Sequence, residues 1–404
     1  MPIFLTGLRY NHGGMVAIFA DTDKMKNRFF LFFWVFVLPF FPENAPALDY
    51  VRFLYDGQER NEEGRIILKA SDGIAFEARD SQLSVITSNN FIAQKSDDIP
   101  FAPYTKAEML ERLKAEFPPG EGYYIDTYGP FIVVYTTSKA FANRCGTLLE
   151  KVHTQYMAYW RRQGVELTAP EFPLVAIVLS NEARFRQYAA QEGISLFREQ
   201  CAFYHKLTNR IVLYDITGQQ AFQEGNQRRV NANDARRFLS QPDNIMTVVH
   251  EAVHLVGFNT GMHPRHAPNP VWLYEGLALL HEVPYMRDSS GWTIGPHINP
   301  PRLVQLRRYL GRQHMESPII KMIQDDKLFS TPATALDNYA LAWGITYYLV
   351  KKRPKELAAY LKILQTKTPE SDDNGEIRIR EFEACFGSDW NAFDRDFLNF
   401  VSKQ

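Results

Sequence analysis

The sequence predicts an α+β protein in which a small β module precedes a larger domain whose strands come first and helices after. Three patterns carry that expectation. Residues 48–104 hold short strand-like runs with turn residues between them, and residues 121–215 alternate apolar runs with one long helical repeat. From residue 233 onward apolar side chains recur mainly with helical spacing. At 404 residues the chain has room for two domains, and its 45% hydrophobic and 23% charged content is that of a chain that buries a core.

The amino end stands apart. Lys24, Lys26 and Arg28 precede an unbroken apolar run from Phe29 to Phe41, and Ala45-Pro46-Ala47 follows. Basic, then apolar, then small residues is the layout of a secretory signal and its cleavage site. Residues 1–47 are therefore set aside from the fold, with Met25 as a possible true start. The run of 13 residues contains Pro39 and is short for a bilayer span. Secretion or delivery to the periplasm is expected, with a membrane anchor through residues 29–41 as the alternative. No other segment reads as transmembrane.

In the β module, Arg65-Ile66-Ile67-Leu68 and Leu83-Ser84-Val85-Ile86 are strand-like, with Asp72-Gly73 as a turn between them. Pro100 and Pro103 mark the approach to a linker, placed at 105–120. The larger domain, 121–404, opens with two strand-like runs, Tyr123-Tyr124-Ile125-Asp126 and Phe131-Ile132-Val133-Val134-Tyr135, divided by Gly129-Pro130. A helix is expected from about Ser138 to Arg162, capped by Ser138 and stopped at Gly164. Its apolar residues Ala142, Cys145, Leu149, Val152, Tyr156 and Tyr159 recur every three or four positions, so one face is buried. Leu174 to Leu179 is an unbroken apolar run typical of an interior strand, and Ile211 to Asp215 is another strand candidate.

The formal net charge of -1, without a lysine or arginine block, argues against nucleic acid as a partner. Cys145, Cys201 and Cys385 are too few for a disulfide scaffold or a thiolate metal site. Burial is the expected role of Cys145.

Chemistry concentrates in Thr247-Val248-Val249-His250-Glu251-Ala252-Val253-His254-Leu255-Val256-Gly257, which contains the pattern HExxH. On a helix, residues four apart point the same way, so both imidazoles can reach one ion. Glu251 is placed to touch a metal-bound water without ligating the metal. The flanking valines make this an interior helix, where a rigid and partly dry site belongs. A catalytic site needs a third protein ligand besides water. His263 and His266 lie nearby, in a proline-rich loop without helical register. Six residues after His254, where another metallopeptidase pattern puts its third histidine, stands Thr260. Glu275 is the remaining candidate, 21 residues beyond His254 in Pro270-Val271-Trp272-Leu273-Tyr274-Glu275-Gly276-Leu277-Ala278, which begins with proline and continues in helical spacing.

The pairing of His-Glu-Ala-Val-His with Trp-Leu-Tyr-Glu-Gly-Leu-Ala resembles the gluzincin zinc metallopeptidases, in which a second helix bearing Glu-Gly-x-Ala supplies the third ligand. On that resemblance Glu275 is favoured. The chain also resembles a poorly characterised bacterial family of secreted, peptidase-MA-like proteins, over roughly residues 121–404. The shorter features of that likeness are Tyr135-Thr136-Thr137-Ser138, Tyr339-Ala340-Leu341-Ala342-Trp343 and Phe386-Gly387-Ser388-Asp389-Trp390.

The resemblance implies a zincin-like domain, Zn2+ held by His250, His254 and Glu275, Glu251 as general base, and a peptide or protein substrate. It also implies a tyrosine or histidine from a later helix as oxyanion donor, for which Tyr339 is the candidate, although simple packing against the metal helix is the more ordinary use for one of 20 tyrosines. Glu282, two turns after Glu275 on the same face, is a candidate acceptor for a ligand histidine, with a solvated helix face as an equal alternative. Asn259 is expected to hold the loop after the metal helix or cap its end, and His281, His297 and His314 to be structural. The alternatives to a peptidase are a secreted binding protein that keeps the zinc fold without turnover, and a zinc hydrolase of a non-peptide bond.

Overall fold

The computed structural model describes residues 46–196, 200–216, 242–283, 285–287, 291–312 and 316–404. Residues 1–45 of the expected signal segment, His314 and the onset of helical spacing at residue 233 lie outside the described residues, while Ala47, its expected last residue, opens the first strand.

The amino-terminal module is a five-stranded antiparallel sheet of β1 (Ala47–Tyr55), β2 (Gln58–Ala70), β3 (Gly73–Ala78), β4 (Leu83–Thr87) and β5 (Phe91–Pro100), in the order β4-β3-β2-β1-β5. Asp56 and Gly57, at φ +50° and +75°, make a two-residue turn that joins Tyr55 to its partner Gln58. That is the left-handed geometry a tight hairpin requires. Val51, Phe53, Ile74, Phe76 and Ile86 form the module's core.

Residues 105–120, expected as a linker, instead carry helix α1 (Lys106–Glu116). Thr105 accepts from the Glu108 N–H while the Glu108 carboxylate accepts from the Thr105 N–H, a reciprocal cap that fixes the helix start. Met109 and Leu113 of this helix are buried against the second sheet.

That sheet contains β6 (Tyr124–Tyr128), β7 (Phe131–Tyr135), β8 (Leu174–Leu179), β9 (Ala202–His205) and β10 (Arg210–Tyr214), in the order β6-β7-β8-β10-β9. The three central strands run parallel and the two outer ones antiparallel. Helices α2 (Lys139–Arg162) and α3 (Glu182–Gln191) lie in the connections, so strands and helices interleave here rather than falling into two blocks. The apolar strand runs have a direct cause. Phe131, Val133, Leu174, Ala176, Ile211 and Leu213 face α2 and the later helices, while Ile132, Val134, Val175, Ile177 and Val212 face α1 and α3. With both faces covered, every position in a central strand is interior. Helix α2 starts at Ser138, whose hydroxyl accepts from the Phe141 N–H, and buries Cys145, Leu149, Val152 and Tyr156 as its spacing predicts.

The carboxyl-terminal half is mainly helical: α4 (Pro242–Asn259), α5 (Val271–His281), α6 (Pro300–Leu310), α7 (Pro318–Gln324), α8 (Lys327–Ser330), α9 (Ala335–Lys352), α10 (Pro354–Gln365), α11 (Gly375–Phe386) and α12 (Trp390–Ser402), with a small hairpin of β11 (Tyr285–Arg287) and β12 (Gly291–Thr293). Helix α4 packs against α2, β9 and β10 on one side and α5 on the other; α5 in turn packs on α9, which also meets α6. The α5–α9 crossing is close because residue 276 is glycine. A Cβ there would lie 2.2 Å from the Thr346 hydroxyl and 2.8 Å from the Ala342 carbonyl oxygen. Among the described residues no helix is long and apolar enough to cross a membrane.

The β module is held to the domain by buried charge as well as by apolar contact. Glu77, wholly buried on β3, accepts from Arg65 Nε at 2.7 Å, Arg265 at 3.0 Å and His266 Nε2 at 2.8 Å. Arg265 and His266 belong to the loop that follows α4, so the module grips the segment joining α4 to α5.

Candidate metal centre

Helix α4 is anchored by Val248, Val249, Ala252, Val253, Leu255 and Val256, all buried. With those side chains committed to the core, His250 and His254 emerge one turn apart on the remaining face. Helix α5 begins after Pro270, and its first N–H, that of Val271, donates to Asp326 Oδ1 at 2.9 Å. Trp272, Leu273, Leu277, Ala278 and Leu280 are buried and set the roll of the helix. That roll turns Glu275 toward α4.

The three side chains converge. His250 Nε2 lies 3.1 Å from His254 Nε2 and 3.2 Å from Glu275 Oε2, and His254 Nε2 lies 3.5 Å from the same oxygen. Four tetrahedral donors held about 2.0–2.1 Å from a small divalent ion sit about 3.3 Å from one another. The observed edges bracket that value. Two imidazole nitrogens and a carboxylate oxygen also form a donor set suited to such an ion. The triad is thus a possible metal-binding site on geometry and on chemistry.

A second layer of contacts orients it. Glu282, at the carboxyl end of α5, accepts from His250 Nδ1 at 2.9 Å, which leaves Nε2 directed at Glu275 and His254. Glu282 is in turn held by the Asn299 amide at 2.7 Å, and Asn299 also caps α6. Burial opposes a charge on His250, yet its hydrogen bonds to Glu275 and Glu282 raise its pKa well above the usual imidazole range. Burial likewise opposes the charge on Glu275, but the neighbouring His254 and His250 pull its pKa below the usual carboxylate range.

Glu251 projects into the same cleft, which is also lined by Met246, Thr247, His250, Glu282, Arg302, Leu336 and Tyr339. One of its oxygens accepts from the Tyr204 N–H at 2.7 Å, so β9 braces the carboxylate. Tyr339 comes from α9, with its ring edge-on to Phe329 at 5.3 Å. Burial and the charges of Glu275 and Glu251 raise its pKa, so the phenol stays protonated and able to donate.

The other sequence candidates lie elsewhere. His263 is buried against Phe258 and Tyr274, and burial, with His254 and Lys206 nearby, lowers its pKa to about 3. His266 is engaged with Glu77. Thr260 donates to the Val256 carbonyl and closes the end of α4. Asn259 closes the end of α4, donating to Leu255 O at 2.8 Å, and exchanges amide hydrogen bonds with Asn209 of the β9–β10 turn rather than with the loop that follows α4. His281 is structural: its Nε2 accepts from Trp160 Nε1 at 3.1 Å amid aromatic rings, and burial lowers its pKa to about 3. The three cysteines are free.

Sequence reasoning passed over Asn299, Arg302 and the Tyr204 backbone. The Asn-Pro-Pro start of α6 is a capping signal that could have singled out Asn299. Nothing local points to the other two.

A family model described as "Protein of unknown function (DUF1570)" matches residues 244–371. That stretch takes in His250, Glu251, His254, Glu275, Glu282, Asn299, Arg302 and Tyr339. No curated protein matches the chain.

Proposed function

We propose that this chain is a zinc-dependent peptidase of the gluzincin kind, acting outside the cytoplasm on peptide or protein substrates. The observation that carries the reading is the convergence of His250, His254 and Glu275 at edges of 3.1 to 3.5 Å beside a braced Glu251. A mixed sheet with α4 laid against β9 and β10 supports a zincin-like fold. The basic, apolar and small-residue order before residue 48 supports export.

His250, His254 and Glu275 would hold the ion, with Glu282 keeping His250 in the tautomer that presents Nε2. When bound in this donor set, zinc would supply Lewis acidity and would lower the pKa of a water at the site to about 7. Glu251 does the proton work. The Tyr204 N–H fixes one oxygen, and the other takes the proton from the attacking water and later passes it to the leaving amine. Tyr339, protonated and in the same cleft, donates to the oxygen that gains charge in the transition state.

The test is metal content and turnover of the full chain. About one zinc per chain is expected in the wild type, with strong loss in Glu275→Ala. A peptide library should be cleaved by the zinc-loaded wild type and cut about 10²–10⁴-fold more slowly by Glu251→Gln, with zinc retained. Zinc without turnover of any peptide would move the reading to a binding protein or to a hydrolase of another bond. No zinc after reconstitution would overturn it.

A further inference from the structure

We infer that Arg302 is a specificity-determining residue that anchors a carboxylate on the substrate residue next to the bond cleaved. The inference rests on the peptidase reading of the same cleft and names the substrate class it takes.

The cleft is lined by two carboxylates, Glu251 and Glu282, with Glu275 beside them at the triad; Arg302 is the basic residue among the described residues that line it. Its guanidinium is not consumed by the structure around it. The Glu282 oxygen facing it already accepts from Asn299 at 2.7 Å, while Arg302 Nε stands off at 3.8 Å, beyond hydrogen-bonding distance. The Arg302 backbone N–H bonds the Asn299 cap, but among the described residues its guanidinium makes no hydrogen bond. The group is nevertheless held in place, lying over the Tyr339 ring at 5.8 Å from the centroid and only partly exposed.

Its position on α6 adds a second argument. Arg302 falls in the first turn of that helix, which contains no acidic residue. The partial positive charge of a helix amino end disfavours a cation there. A guanidinium kept against the helix dipole, steered by a carboxylate at arm's length and with its donor fork open, suits planar two-point binding of a carboxylate.

Location limits which carboxylate. One imidazole and one carboxylate, those of His250 and Glu282, separate Arg302 from the point where the three donors converge. The anion therefore belongs to a residue beside the reacting carbonyl, as an acidic side chain or as the carboxyl end of the peptide. Leu336, exposed at the cleft rim, gives the same substrate an apolar wall.

The experiment uses the zinc-loaded full chain and fluorogenic peptides that carry Glu or Gln beside the cleaved bond, each with a free or amidated carboxyl end. The wild type should show a KM at least about tenfold lower for one acidic form than for its neutral counterpart. Loss on Glu-to-Gln exchange identifies a side chain, and loss on amidation identifies the carboxyl end. In Arg302→Ala the preference should vanish through a raised KM for the acidic peptide alone, with kcat and zinc content retained, because the contact is made equally in ground and transition states. Arg302→Lys should recover part of it. An unchanged acid preference in Arg302→Ala, or no preference in the wild type, would overturn the inference. Binding of the same peptides to Glu251→Gln, followed by fluorescence anisotropy, separates the two readings. An Arg302-dependent acid preference there, with no turnover by the wild type, supports the anchor and sinks the peptidase. Binding indifferent to both charge and Arg302 sinks the anchor, whatever the turnover.

Discussion

Two buried clusters flank the segment from α4 to α5, and each brings glutamate against histidine. Around Glu77 the carboxylate meets two guanidinium groups, those of Arg65 and Arg265, and the Nε2 of His266. Around Glu275 the carboxylate's partners among the described residues are His250 and His254. Glu251 and Glu282 then add carboxylates to the same neighbourhood, and among the described residues no lysine or arginine pairs with Glu275 or Glu251 within 4.0 Å. The first cluster carries its own counter-charge and is complete as protein. The second has, among the described residues, no lysine or arginine against Glu275 and relies on a proton on His250 to bridge Glu275 and Glu282, a place that a divalent ion could take instead. Residue types alone do not separate a structural Glu–His contact from a metal centre; the count of nearby cations and the convergence of lone pairs do.

The sharpest way to break the comparison is to remove each carboxylate in turn. Glu77→Ala leaves Arg65 and Arg265 facing each other in a buried space. Loss of one partner of a buried ion pair costs about 3–5 kcal/mol. Urea unfolding should show a loss of that size, with zinc binding per folded chain unchanged. A loss below about 1 kcal/mol would mean that the module is not held through this cluster. At the other cluster the stability effect should depend on the ion. Zinc at about 100 times its dissociation constant should stabilise the wild type and Glu77→Ala by about 2.7 kcal/mol, and Glu275→Ala should gain little from the same addition. Equal gains in all three proteins would remove the distinction between the clusters.

A finer test concerns the orienting layer. Glu282→Gln keeps an oxygen toward His250 but loses the charge, and such changes reduce metal affinity by about 10–100-fold. Competition with a chelator of known affinity measures that shift. No shift would mean that backbone and packing alone orient the His250 ring.

The features that were readable before the structure are those whose signal is local. Helix α2 announces itself at both ends, with Ser138 as cap and Gly164 as stop, and its apolar repeat fixes the buried face between them. The α4–α5 pair was readable because two four-residue-spaced histidines and a Glu-Gly step each carry a physical reason. The glutamate turns toward His250 and His254 while the glycine lets α9 approach. Helix α1 was missed although Thr105 and Glu108 form a capping box, because the flanking prolines weighed toward a linker. The Asp56-Gly57 hairpin was equally open to inspection. Other features depend on distant partners. Glu77 reads as an ordinary polar residue of a strand, and its partners Arg65 and Arg265 stand 12 and 188 positions away. Arg302 has no motif at all, and only the meeting of α5, α6 and α9 places it in the cleft.

The smallest expected effect is the response to acid, and it follows from how the Glu77 cluster is satisfied. Burial alone would raise the pKa of Glu77, but the His266 hydrogen bond, with Arg65 and Arg265 nearby, holds it at about 2 against an ordinary 4.5. Its folded value is depressed, so the stability it contributes is complete above pH 4.5 and is lost as pH falls toward 2. Burial lowers the pKa of His266 from its ordinary 6.5, so the ring donates its Nε2–H to Glu77 as a neutral group. As pH falls through 6.5 the unfolded chain takes up that proton before the folded one, which also favours unfolding. Both groups therefore act in the same direction. Zinc-free protein should lose stability in two stages on acidification, a first decline beginning near pH 6.5 and a second below pH 4.5. His266→Gln should flatten the first stage and keep the second, because glutamine can still donate to Glu77 and does not titrate. A first stage that survives His266→Gln would assign it to other histidines and detach the acid response from the contact that joins the β module to the α4–α5 loop.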